Sequence, residues 1–393
     1  MRLSFLMLWT WPVVGTMLLF LVIAAFSTPA GVGGGLLFTP LLQILLGYTP
    51  KEAVPLSQVL ITGASIGSLL YQVVWQLLHK DKPLNVQTMY IWFILPAILA
   101  GSVAGVLLAR ISPSIIQLIL LVLICGYAAV TIYKRALKTF RQENGEAATP
   151  SVATYQNHVD DLQPKVIGAI TSADDISPTT GQSTPRRKDN DTLRCIFFIF
   201  SLFIFYVIMI LLRGSKSMPS IAGITYCGTV YWALYLIPFI IFIATSLFMA
   251  PKEEKVIATV IAAGALATMS GISGGIVLNP IFLSRGLTPQ QSSATAIVIV
   301  TVISTASTFD FLTSCQVPIW DAMFTMQCTF VGSIIGMTAV AAIIKRSGRQ
   351  SFLLFILGTL VALGCALTFS LGVHHLISNF NSGVNPFALQ SVC

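Results

Sequence analysis

Apolar residues run along this chain in blocks of about twenty, each long enough to cross the hydrocarbon core of a bilayer as a helix. The blocks fall at 3–26 (continuing as a short piece, 36–46), 54–78, 88–109, 112–133, 195–212, 229–249, 256–285, 291–312, 319–343 and 351–372. The pattern predicts an all-α integral membrane protein of about ten transmembrane helices. One long polar stretch interrupts it, rich in Ser, Thr, Asp, Asn, Lys and Arg and carrying Pro150, Pro164, Pro178 and Pro185. Such a stretch has too little apolar surface to order itself, so it reads as a disordered linker.

The apolar blocks are not all independent. Gly31-Val32-Gly33-Gly34-Gly35-Leu36-Leu37-Phe38-Thr39-Pro40 and the later Gly47-Tyr48-Thr49-Pro50 recur about 240 residues on. The second copy is Gly271-Ile272-Ser273-Gly274-Gly275-Ile276-Val277-Leu278-Asn279-Pro280, followed by Gly286-Leu287-Thr288-Pro289. With a one-residue slip, Thr62, Ser65 and Ser68 then fall opposite Thr301, Ser304 and Ser307. The reading is therefore two homologous four-helix repeats, each beginning with a Gly-broken helix, plus two extra helices between them. Its divisions are 1–135 (first repeat), 136–194 (linker), 195–250 (two extra helices), 251–372 (second repeat) and 373–393 (tail). Counting each broken helix as one span puts six spans between the copies, which predicts parallel repeats; re-entrant breaks would change that count.

Glycines in succession release helical backbone, since each costs about 1 kcal/mol relative to alanine. Pro40 and Pro280 remove a further amide donor and serve as structural residues of the break. Non-helical backbone at membrane depth survives only beside protein or a water-filled cavity. The exposed amides at the start of a half-helix attract anions through the local dipole, and paired broken helices point to a transporter site. Gly33, Gly34, Gly35, Ser273, Gly274 and Gly275 are the expected substrate-facing backbone, with Thr39 and Asn279 beside them. The side chains of those two either donate to an oxyanion or satisfy carbonyls freed by the break. Ser57, Gln58, Thr62, Ser65, Thr295, Thr301 and Ser304 are candidates to line the pathway, although helix packing is the plainer role for any one of them. Asp310, a carboxylate inside an apolar block, is read either as a proton-coupling group or as a solvated helix end. No Lys, Arg or His sits at the centre of a span.

Composition agrees with the pattern. Hydrophobic residues make up 55% of the 393 and charged residues only 9%, against about a quarter charged in soluble domains. The net charge of +8 is spread over loops, so it reads as membrane topology rather than nucleic-acid binding. If every span crosses once, the denser basic groups, Lys134, Arg135, Lys138 and Arg141 among them, share a side with both termini. That places termini and linker in the cytosol, of a plasma or an internal membrane. The Asn190-Asp191-Thr192 sequon tests the placement, being usable only in a lumen. The apolar N-terminal segment resembles a signal peptide, yet the repeat needs it as a retained helix. Seven scattered cysteines show no metal-ligand spacing and read as buried free thiols. No metal and no cofactor is expected.

These residues resemble the sulfite exporter TauE/SafE family of membrane permeases, which carries the same glycine-rich, proline-ended segment once in each half. The likeness covers about 16–135 and 256–372. Tyr226-Cys227-Gly228-Thr229-Val230-Tyr231-Trp232 is similar to the eukaryotic branch, which also has a long central linker. The resemblance implies transport of sulfite, organosulfonate or a related sulfur oxyanion by alternating access at the two broken helices. Ser273, where the second copy should have its middle glycine, departs from the pattern and bears on the substrate. The partners implied are a small anion and the lipid bilayer, with no nucleic acid. A homo-oligomer and the coupling ion, a proton being one candidate, stay open.

Three other classes compete, one of them a non-transporting receptor or assembly factor, which retained function without any flux would mark. An anion channel would use the same broken helices to line an open pore. Gly271-Ile272-Ser273-Gly274 also matches the GxSG of intramembrane serine proteases, but none of His79, His158, His374 and His375 lies mid-span. The chain is expected not to be an enzyme.

Overall fold

The computed structural model describes residues 11–29, 31, 33–78, 86–146, 185–215, 218–314, 317 and 319–347, and then 355, 358–359, 361–370 and 372–373. The helices are α1 (Trp11–Ser27), α2 (Gly35–Leu46), α3 (Pro50–Leu78), α4 (Thr88–Ile111), α5 (Ser114–Glu146), α6 (Pro185–Arg213) and α7 (Thr229–Met249). They continue as α8 (Glu254–Ser270), α9 (Gly275–Ser284), α10 (Pro289–Thr313) and α11 (Ile319–Ser347), and α12 (Val361–Ser370). Seven of them, α3 to α7, α10 and α11, are long and apolar enough to cross a membrane. The architecture is the multi-pass helical one that the hydropathy predicts. Helices α5 and α6 run further into the polar stretch than its composition implies, to Glu146 and from Pro185. Glu, Gln, Lys and Arg are good helix formers, and extending a helix already nucleated in the membrane costs little. Residues 147–184 lie outside the described residues.

Both breaks fall where the glycines predict them. Helix α1 stops at Ser27 and α2 starts at Gly35; α8 stops at Ser270 and α9 starts at Gly275. Gly31 and Gly271, at matching positions, are both left-handed, with φ of 70° and 69°. The first break adds Gly33 and Gly34 in the same region, whereas Ser273 is not among the left-handed residues. Serine is tolerated there because the second chain reversal needs only Gly271 in the conformation that L-residues avoid.

Paired contacts give the directions of the helices. Thr62 meets Thr308 and Ser65 meets Ser304, so α3 and α10 run antiparallel. Ser102 meets Ser307 and Arg110 meets Asp310, so α4 runs parallel to α10. Gly101 abuts Ile261 and Gly105 abuts Ala265, which aligns α8 with α4. Gly332 and Gly336 abut Leu21 and Ala25 in the same sense, and Gly63 and Gly67 abut Met326 and Ser333, aligning α1, α3 and α11. Since α1 and α3 are parallel, α2 must turn back. The α1–α2 and α8–α9 pairs are re-entrant hairpins. At the mouth of the second, Arg285 donates to Glu253 at 2.7 Å and holds that carboxyl below its usual range through the hydrogen bond.

Two expectations change as a result. Corresponding helices point in opposite directions, so the repeats are inverted, not parallel: a re-entrant break does not count as a crossing. For the same reason α1 begins on one face, here called face A, whereas α5 ends on the opposite face B. The linker therefore leaves from face B, and the expectation that termini and linker share a side is overturned for the N-terminal helix. Helix α12, aligned against α5 by Thr359–Tyr133 and Cys365–Val122, also runs toward face A.

The repeats interlock instead of sitting side by side. Helix α1 packs on α11 and α8 on α4, each hairpin thus against the other repeat, while α3 and α10 cross at the centre. Small residues make this close approach feasible. A Cβ on Gly101 would lie 2.2 Å from the Ile261 carbonyl oxygen, and one on Gly336 would lie 2.0 Å from that of Ala25. The Gly-x-x-x-Gly pairs 101/105 and 332/336 occupy matching places in the two repeats, a second repeat signature beside the broken segments. The Gly-x-Thr-Pro motif is a turn between helices. Gly47 is the left-handed end of α2, and Thr288 caps α10 reciprocally with Gln291, Pro289 occupying the first helical position. Extra helices α6 and α7 pack against α4.

Candidate functional site

The two half-helix starts meet tip to tip at the middle of the fold. A Cβ on Gly275 would stand 2.1 Å from the Gly31 carbonyl oxygen, and one on Gly35 would stand 2.8 Å from the Ser273 nitrogen. Thr39 Oγ1 donates to Gly271 O at 3.2 Å, and Asn279 Nδ2 donates to Gly31 O at 3.3 Å. Thus the two residues before the prolines, alike in position, each satisfy a carbonyl that the opposite break has released. Ser57 adds a donation to Gly271 O at 2.7 Å, and Ser292 donates to Asn279 Oδ1 at 3.0 Å. In this state Thr39, Asn279 and Ser57 are engaged with backbone and neighbours.

A cavity about the size of one water molecule lies against the second break, walled by Gln58, Thr268, Ser273, Gly274, Ser304 and apolar neighbours. Gln58 is 2% exposed and its Nε2 amide has no hydrogen-bond partner. An unpaired buried donor costs about 1–3 kcal/mol, so its retention here is informative. The first break packs more closely: a Cβ on Gly33 would collide with Ser273 and one on Gly34 with Phe38 and Ser27. Of the expected site residues the fold thus brings Gly33, Gly35, Gln58, Ser273, Gly274, Gly275 and Ser304 together.

Others go elsewhere. Ser65 pairs with the cavity-lining Ser304 at 3.3 Å, and Thr62 meets Thr308 at 2.8 Å, tying α3 to α10. Thr301 donates to its own helix at Ile297 O. Thr295 accepts from the backbone nitrogen of Gln87, before α4, away from the breaks. Pro40 and Pro280 sit inside the half-helices. The four histidines lie outside the described residues, so no base stands beside Ser273 among those described.

Asp310 is fully buried rather than a solvated end. Its Oδ1 accepts from Arg110 Nη2 and Arg213 Nη2, both at 2.7 Å, and the Tyr206 hydroxyl approaches Oδ2 at 3.5 Å. The Arg213 guanidinium stacks 3.9 Å over Tyr235. Sequence reasoning looked for charge at span centres and passed over these arginines because each ends an apolar block. Their shared side was the available signal. Among the cysteines, Cys125 and Cys195 are buried free thiols, but Cys227 is disulfide-bonded, against the expectation for it.

The family model described as "Sulfite exporter TauE/SafE" matches residues 14–171. Sulfite exporter TauE/SafE family protein 3 of Arabidopsis thaliana is 22% identical over 376 residues, covering 90% of this chain and 77% of the relative. Family proteins 1 and 5 of the same plant are each 24% identical, covering 92% of this chain and 84% and 83% of their own lengths. No solved structure matches. The paired breaks and the multi-pass helical fold stand beside a likeness that runs through both halves: the chain is similar to proteins of the sulfite exporter TauE/SafE family.

Proposed function

We propose that the chain carries a small oxyanion, sulfite, an organosulfonate or a related sulfur oxyanion, by alternating access at the meeting point of the two hairpins. The observation that carries this reading is the unpartnered Gln58 amide in a cavity where two half-helix starts converge. Converging positive helix ends favour an anion, and a neutral donor binds it without trapping it. The cavity is smaller than sulfite, which fits an occluded state from which either hairpin must withdraw to admit substrate. Inverted repeats supply the means, because exchanging the conformations of the two halves exchanges the open face.

The test is flux of sulfite, sulfate, thiosulfate and a sulfonate into proteoliposomes. Gln58→Leu keeps the volume and removes the donor. Its flux is expected to fall about 10- to 100-fold, the worth of one hydrogen bond to a charged group, with thermal stability retained. Gly274→Ala meets only Ile98 at 3.1 Å and Ile303 at 3.8 Å. It is expected to fold and to lose flux by filling the cavity. Undiminished flux in both variants would remove the site from this position.

We further infer that face B is cytosolic. It carries the basic groups of 134–141, 252–255 and 345–346 and the ends of the linker, whereas the described basic groups of face A are Lys51, Arg110 and Arg213. The disulfide at Cys227 lies in the 214–228 loop on face A, in keeping with an oxidising compartment. An epitope placed within 147–184 should become accessible to antibody only after permeabilisation, and Asn190 should stay unglycosylated. Labelling of intact cells would reverse the orientation.

A further inference from the structure

The charged cluster on face A has features that its own ion pairs do not explain. Arg110 and Arg213 are 8% and 4% exposed at the side chain, Asp310 is not exposed at all, and together they carry one excess positive charge. Both guanidinium groups converge on a single oxygen, Asp310 Oδ1. Around them four further buried polar atoms have no partner: Arg110 Nε, Arg213 Nε, and the hydroxyls of Tyr231 and Tyr235. Those tyrosines are 0% and 3% exposed. A fold that buries net positive charge together with four unused donors is complementary to an anion with several acceptor oxygens.

We propose that this cluster is a second oxyanion site, at the face A end of the pathway, in which Asp310 holds the two arginines until a small oxyanion competes for them. A polar line joins it to the central cavity. Ser304, Ser307, Thr308 and Asp310 follow one another on α10, paired in turn with Ser65, Ser102, Thr62 and the arginines. From Ser304 to Asp310 is about 9 Å of helix.

The site also breaks the internal symmetry. In the register of Ser65 and Ser304, Asp310 falls opposite Tyr71; in that of Gly105 and Gly336, Arg110 falls opposite Ala341. Arg213, Tyr231 and Tyr235 come from α6 and α7, which belong to neither repeat. The two extra helices thus equip one face with an anion trap, so that the mouths of an otherwise symmetric carrier differ. The place of the site on the pathway rests on the transport reading; anion binding by the cluster does not.

The test uses full-length protein in nanodiscs of zwitterionic lipid, with sulfite and sulfate as probes and chloride as control, read by calorimetry and thermal shift. Tyr231→Phe combined with Tyr235→Phe removes two unused hydroxyls and keeps the rings. It is expected to weaken oxyanion binding about tenfold or more, with an unchanged melting temperature when no oxyanion is present. Asp310→Ala is expected to bind sulfate at least tenfold more tightly than the parent and to regain thermal stability as sulfate or formate is added. If phosphatidylglycerol in the nanodisc competes with sulfate, a lipid headgroup phosphate occupies the same oxyanion site. Wild-type affinity in the tyrosine pair, with no anion-dependent stabilisation of Asp310→Ala, overturns the proposal whether or not the protein transports. Loss of flux in Gln58→Leu with oxyanion binding at the cluster retained separates this site from the central one.

Discussion

Replacing Asp310 with alanine is expected to lower stability by about 3–5 kcal/mol, because it leaves two buried guanidinium groups without their shared acceptor. The arginine side chains are only 8% and 4% exposed, so water screens the excess charge weakly. Replacing all three charges with apolar side chains, as in Arg110→Met, Arg213→Met and Asp310→Leu together, should restore most of the loss, since no ion is then left uncompensated. Thermal unfolding of both variants in detergent checks the pair. If Asp310→Ala melts like the parent, the three charges do not form a buried unit. The triple variant should also lose oxyanion binding at this face, which stability alone would not reveal.

The second large effect is expected at Gly275. Its missing Cβ would stand 2.1 Å from the Gly31 carbonyl oxygen, and that neighbour is backbone, with no flexible side chain to yield. Gly275→Ala must therefore push the two hairpin tips apart. The expected cost is about 1–3 kcal/mol of overpacking, with flux lost as the carbonyl contacts of Thr39 and Asn279 are pulled out of reach. Gly274→Ala, one residue earlier, is the contrast, since it meets only the ends of two isoleucines. Proteoliposome flux and melting temperature measured side by side distinguish them: position 275 should lose both and position 274 flux alone. Equal behaviour of the two would mean that the tips do not touch.

Much of this was legible in the amino-acid order. Blocks of about twenty apolar residues mark membrane helices because a bilayer accepts little else. The doubled Gly-Gly-Gly…Pro and Gly-Gly…Pro segments mark breaks because glycine and proline act on their own backbone, whatever surrounds them. Both breaks stand within a residue or two of where those glycines lie. The unpartnered Gln58 was a candidate on type and position alone, while Thr39 and Asn279 were left between two roles that only their carbonyl partners separate.

Tertiary structure decided the rest. Hydropathy records that a segment is apolar and not whether it crosses or turns back, so 256–285 read as one span and hid a re-entrant hairpin. That one ambiguity reversed the relation between the repeats and moved the linker to the face opposite the start of α1. Arg110, Arg213 and Asp310 lie up to 200 residues apart in the chain and become one charged unit only when three helices end on the same face. Local sequence determined where the backbone would break and which segments would enter the membrane, because those depend on each residue's own conformational and transfer energies. Which breaks meet, which charges pair and which way each repeat points depend on contacts between distant helices, and those exist only in the folded protein.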